Sequence, residues 1–126
     1  LNDVSARDVQ TAHKQWYFGK SLDGFTPIGP CIVTADAFAD YPPRLGIRSF
    51  VNGEKRQDSN TALQIFDIDH VIAELSQGMT LKAGTIIATG TPAGVGMGMD
   101  PPQFLKPGDT VRCEIDGIGS LTNTVR

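Results

Sequence analysis

Residues 45–61, LGIRSFVNGEKRQDSNT, place two extended runs on either side of Asn52-Gly53. That dipeptide favours a tight hairpin turn, because both central positions need positive φ and Asn and Gly tolerate it best. A second pair of runs, TVRCEI and IGSLTNTV, flanks Asp116-Gly117. Val111, Cys113 and Ile115 alternate there with Arg112, Glu114 and Asp116, which predicts a strand with one apolar and one wet face. Two hairpin signals in a chain with 14 glycines and 8 prolines point to a fold that is mainly β with a few short helices.

Outward from the hairpins the pattern changes. In DIDHVIAELSQG, residues 67–78, Ile68, Val71, Ile72 and Leu75 follow helical spacing. Aspartates crowd the start of that helix and Gly78 suits its C-terminal cap. Residues 5–13 read as a short helix, with Ser5 as cap and Asp8 three positions on. KQWYFGKSLDGFTPIGP, residues 14–30, is loop with aromatic anchors, and CIVTAD, residues 31–36, is a short buried strand. LKAGTIIATG and LKPGDTVRCEIDG echo each other, so residues 85–90 are expected to extend as residues 110–115 do.

Length and charge narrow the function. The 126 residues suffice for one domain with a core, and no linker or low-complexity tract divides them. Net charge is −3 with both signs interspersed, so no basic stripe exists to meet nucleic acid. The apolar runs are far too short to span a bilayer. Cys31 and Cys113, without CxxC spacing, fit reduced and buried thiols, and a cytoplasmic protein is expected.

HExxH, GxSxG and GxxxxGK[ST] are all missing. His13 and His70 have no metal-binding neighbours in sequence, and packing or surface roles suit both. Asp3, Asp8, Asp23 and Asp36 are hard ligands of the type Mg²⁺, Mn²⁺ or Ca²⁺ prefers. Lys20 lies in the glycine-flanked GKSLDG, where composition alone makes it a solvated surface charge. GTPAGVGMG, residues 90–98, lacks the lysine of a phosphate loop; its sparse side chains let backbone approach a small anion, with the Thr91 hydroxyl as donor.

Five stretches occur in order: NDVSARDVQ; then QW-x-x-GKSLDGF-x-P-x-GP-x-IVT; VNGEKRQDSNT; IIATGTPAGVG; and PPQFLKPGDTVRCEIDGIGSLTN. Together they resemble the fumarylacetoacetate hydrolase family, in its acylpyruvate and fumarylpyruvate hydrolase branch. The resemblance runs from Asn2 nearly to the end and implies a twisted β-sandwich or roll. It covers the C-terminal portion of a usual member. A Glu-x-Glu pair that joins Asp3 around one cation, and a His-Glu pair that activates water, are expected before Leu1.

By that resemblance Asp3 is a ligand of Mg²⁺ (or Mn²⁺), Lys20 is catalytic, and Gln10 and Thr91 contact substrate. Arg7 either grips the substrate carboxylate or pairs with Asp3 or Asp8. Asp23 orients Lys20, Asp36 is structural, and the 52–61 hairpin reads as turn and interface residues with no chemistry that needs them. The implied reaction is metal-dependent hydrolysis of the C–C bond of a 1,3-dicarbonyl keto acid through a bound enolate. The alternatives are an isomerase or decarboxylase of hydroxymuconate- or oxaloacetate-like acids, and a fragment without activity. Members of the family pair as homodimers.

Overall fold

A computed structural model describes residues 1–12 and 14–126. Four strands, β1 (Gly46–Val51), β2 (Glu54–Asn60), β3 (Thr110–Ile115) and β4 (Gly119–Thr124), form one antiparallel sheet in the order β2-β1-β3-β4. Asn52 (φ 52°) and Gly53 (φ 84°) close the first hairpin in the left-handed region that the dipeptide predicted. The Asn52 side chain also reaches β3, accepting from the Thr110 amide at 2.9 Å and donating to Asp109 at 2.9 Å. One residue thus makes the turn and joins the two hairpins.

The register sets the faces. Ile47, Ser49 and Val51 stand opposite Ile115, Cys113 and Val111, while Arg48 and Phe50 stand opposite Glu114 and Arg112 on the other side. The β1–β2 register shifts by one between Ser49 and Phe50, so Ser49 pairs with Gln57, Phe50 pairs with Lys55, and Arg56 is an extra, bulged residue. On the wet face Arg48 bridges Asp58 and Asp116, and the Arg112 guanidinium lies 4.3 Å over the Phe50 ring.

Two helices complete the regular structure. The first, α1 (Arg7–Ala12), starts later than expected: Ala6, not Ser5, supplies the first helical carbonyl, accepting from the Gln10 amide at 2.8 Å. The predicted helix reached His13, which lies outside the described residues. The second, α2 (Ile68–Ser76), is capped by Asp67, whose carboxylate accepts from the His70 amide. Gly78 is not left-handed and does not serve as the predicted cap. His70 is exposed and stacks on Phe66.

Two expected strands do not form. Among the described residues CIVTAD and residues 85–90 have no ladder partner; β2 and β4 are the edges of the sheet. Apolar runs report a preference for burial, and pairing needs a neighbour. Burial is also thinner than the length suggested. Among the described residues Val111, at 7% exposure, is the one buried apolar side chain and none is fully buried; Cys31, expected inside, is exposed. No described helix is long and apolar enough to cross a membrane.

Candidate active site

The apolar face of the sheet is the floor of a cleft of 960 Å³, with Ile47, Ser49, Val51, Val111 and Cys113 beneath it. Its walls, residues 28–33 and 87–91, include parts of the two runs that failed to become strands, residues 31–36 and 85–90. Asp3, Ser5, Arg7 and Lys20 reach it from the N-terminal segment, and Thr91 from the glycine-rich loop. Burial pushes the Cys113 thiol on the floor above its ordinary value, so it stays protonated at neutral pH and is a poor nucleophile.

Packing of α1 against the 3₁₀ turn Phe18–Lys20 brings Asp3 and Lys20 together. The Ala6 amide donates to the Gly19 carbonyl at 2.8 Å. A Cβ on Gly19 would lie 2.7 Å from the Gln10 nitrogen, so only glycine permits the contact. The Lys20 ammonium then sits 2.6 Å from the Asp3 carboxylate and 3.0 Å from the Ser5 hydroxyl. Lysine is therefore oriented by Asp3, and the expected pairing with Asp23 is not made. Both side chains remain about a third exposed, at 27% and 31%, which leaves them open to a ligand.

Arg7 makes neither of the ion pairs considered for it among the described residues. Its Nη1 donates to Gln10 Oε1 at 2.9 Å. Gln10 is buried at 4% exposure and does not line the cleft; it holds Arg7, which does.

Thr91 is fixed from the sheet. Gln57 Nε2 donates to Thr91 Oγ1 and to the Pro92 carbonyl, both at 2.8 Å, and Gln57 Oε1 accepts from Ser49 Oγ at 2.8 Å. The hairpin read as free of chemistry thus holds one wall of the site. The only sequence signal was the hairpin itself, since a one-residue bulge decides which face each β2 side chain takes. Part of the glycine-rich loop's freedom is used against the protein. Gly94 has φ 106°, and a Cβ there would lie 2.0 Å from the Arg56 carbonyl on the bulge. The loop therefore packs backbone to backbone on β2.

A hard divalent cation takes six or more oxygen ligands. Among the described residues no three His, Cys, Asp or Glu side chains cluster as a metal site; of the two carboxylates lining the cleft, Asp3 and Asp109, Asp3 is the one paired with Lys20. Asp3 is suited to be one ligand among several, and these residues alone do not make a Mg²⁺ or Mn²⁺ centre.

The whole chain, residues 1–126, matches the family model described as Fumarylacetoacetate (FAA) hydrolase C-terminal. It is 50% identical over 125 residues to the oxaloacetate tautomerase YisK of Bacillus subtilis, covering 99% of this chain and 41% of that protein. A fumarylacetoacetate hydrolase from the psychrophile Exiguobacterium antarcticum superposes with a TM-score of 0.93 at 53% identity, over 98% of this chain and 44% of that one. The 2-hydroxyhepta-2,4-diene-1,7-dioate isomerase of Mycobacterium marinum superposes with a TM-score of 0.83 at 45% identity, over 97% of this chain and 44% of that one. The chain thus spans less than half the length of these relatives.

Proposed function

The chain belongs to the fumarylacetoacetate hydrolase family, and on that premise we propose that the protein carrying it forms and stabilises the enolate of a 2-keto acid. The observation that carries this reading is the Lys20 ammonium, held on the cleft rim by Asp3 and Ser5. Forming an enolate puts negative charge on the keto oxygen. A preoriented ammonium lowers the energy of that charge more than that of the neutral ketone, and a donor of this kind is worth about two to three orders of magnitude in rate.

Arg7 uses one nitrogen on Gln10 and offers the rest of its fork to the substrate carboxylate, so Gln10 acts through Arg7. Thr91 contributes a hydroxyl from the opposing loop. Asp3 is one ligand of Mg²⁺ or Mn²⁺, which would supply Lewis-acid polarisation, and the other ligands come from outside the described residues.

Keto–enol interconversion of an oxaloacetate-like acid is the outcome best supported, because it needs no more than proton transfer at the stabilised enolate and the 50% identical relative is named a tautomerase. Hydrolytic cleavage of an acylpyruvate-type acid is the second reading, favoured by the hydrolase at 53% identity. The test is to give the complete protein, with Mg²⁺, oxaloacetate enol and an acylpyruvate in separate assays. We expect faster turnover of oxaloacetate, and a loss of at least about a hundredfold on both in Asp3→Ala. Faster acylpyruvate cleavage reverses the order of the two readings, and an Asp3→Ala enzyme with unchanged turnover of both removes them.

A further inference from the structure

We infer that Gln57 is a positioning residue that leaves the Thr91 hydroxyl proton free for the ligand, and thereby favours a ligand oxygen that accepts. The inference rests on the keto-acid reading above and adds the polarity of one contact to it. A glutamine amide can in general be placed either way round, so its neighbours must decide. Here one neighbour is the Pro92 carbonyl, 2.8 Å away, and a carbonyl can only accept. The nitrogen of Gln57 therefore faces the loop, and its oxygen faces Ser49, whose hydroxyl donates to it at 2.8 Å.

Both hydrogens of Nε2 are then assigned, one to Pro92 and one to Thr91 Oγ1 at 2.8 Å. Thr91 is on the receiving side of that bond. Its own proton has no acceptor among the described residues, while its side chain is exposed and lines the cleft. A hydroxyl in this state presents a proton to the incoming ligand. Carboxylate and enolate oxygens accept it with no proton of their own to place, whereas an alcohol that accepts it must find another partner for its own proton. None of the three side chains titrates near neutral pH, so the polarity is independent of pH in that range. The bulge at Arg56 makes the relay possible by pairing Gln57 with Ser49 on the cleft side.

The experiment uses the complete protein saturated with Mg²⁺ and reads two quantities, the affinity for oxalate by calorimetry and kcat/KM for oxaloacetate. Thr91→Val, Gln57→Leu and the double variant form a cycle. Thr91→Val should lose about tenfold to a hundredfold in oxalate affinity, the worth of one hydrogen bond to a charged group. Gln57→Leu should lose a similar factor alone and almost nothing more in the Thr91→Val background, because its effect passes through that hydroxyl.

Gln57→Glu keeps the size and shape of the side chain, so it covers the case in which Gln57→Leu fails to fold. Its carboxylate can only accept, draws the Thr91 proton away from the cleft, and should weaken oxalate at least as much as Thr91→Val. Equal losses from Gln57→Leu with and without Thr91 would mean that Gln57 merely anchors the loop through Pro92, and the inference falls. It falls as well if oxalate does not bind, or if Thr91→Val binds it normally. Oxalate binding that follows the cycle in a protein inactive on both keto acids keeps the relay and removes the reaction proposed above.

Discussion

TVRCEI in β3 and TIIATG at residues 85–90 are both short apolar runs after a lysine and a glycine turn, and they end in different structures. The first is paired on both sides, by β1 and β4. The second has no ladder partner among the described residues and walls the cleft. Two local features separate them. In TVRCEI apolar and polar residues alternate, and Asp116-Gly117 returns β4 as a ready neighbour; TIIAT does not alternate and no turn returns a strand to it. Each strand here adjoins a tight turn, and the apolar run without one walls the cleft instead.

The largest effect that would separate the two regions is catalytic. Lys20→Met removes the ammonium from the cleft rim but leaves every ladder bond of the sheet intact. We expect kcat of the complete enzyme to fall by about two to three orders of magnitude. Stability should change little, since partly exposed ion pairs of this type are worth about 0–1 kcal/mol. Steady-state kinetics and a thermal melt on the same preparation check both halves. Turnover within about a factor of ten of the parent would remove Lys20 from the chemistry.

How much of this was legible depended on distance along the chain. The Asn52-Gly53 turn and the alternation of residues 111–116 are local, and each predicted the element that formed. The Asp67 cap and the spacing of Ile68, Val71 and Leu75 did the same for α2. Contacts across the chain were not legible. Lys20 finds Asp3 and not the nearer Asp23, because Gly19 lets the turn lie on α1. Gln57 meets Thr91 only through a bulge that no residue pattern announces. The family resemblance supplied candidates at Asp3, Lys20 and Thr91, but it carried no information about what holds each of them.

A smaller effect tests where the loop ends and the sheet begins. Gly94→Ala forces a Cβ to 2.0 Å from the Arg56 carbonyl at φ 106°, so strand and loop must move apart. A cost of about 3 kcal/mol is expected from the strain and the lost contact together. Gly90→Ala is the matched control: its φ is 101°, yet nothing lies within 4 Å of the added carbon. It should lose only the backbone term, about 1–2 kcal/mol. Chemical denaturation measures both. If the two substitutions cost the same, the close approach at Gly94 contributes nothing and the loop is independent of β2.

The smallest effect belongs to the wet face of the sheet, where Arg48, Asp58 and Asp116 form ion pairs. The hydrogen bond from Arg48 lowers the Asp116 carboxyl below its ordinary value, and the one from Lys55 lowers Asp58. A carboxyl lowered in the folded state binds its proton less readily there than in the unfolded chain. Its stabilising contribution is therefore complete above the ordinary value of 3.8 and is lost as pH falls below it through the lowered folded value. Melting temperature should drop over that acid range, and more gently in 1 M salt, because these groups are exposed and screening weakens them. Arg48→Met removes the main cause of the Asp116 shift and leaves the Lys55–Asp58 pair, so the acid slope should become shallower without vanishing. An unchanged slope in Arg48→Met would mean that these ion pairs do not stabilise the sheet, and the hairpin turns with their ladders would have to account for its stability alone.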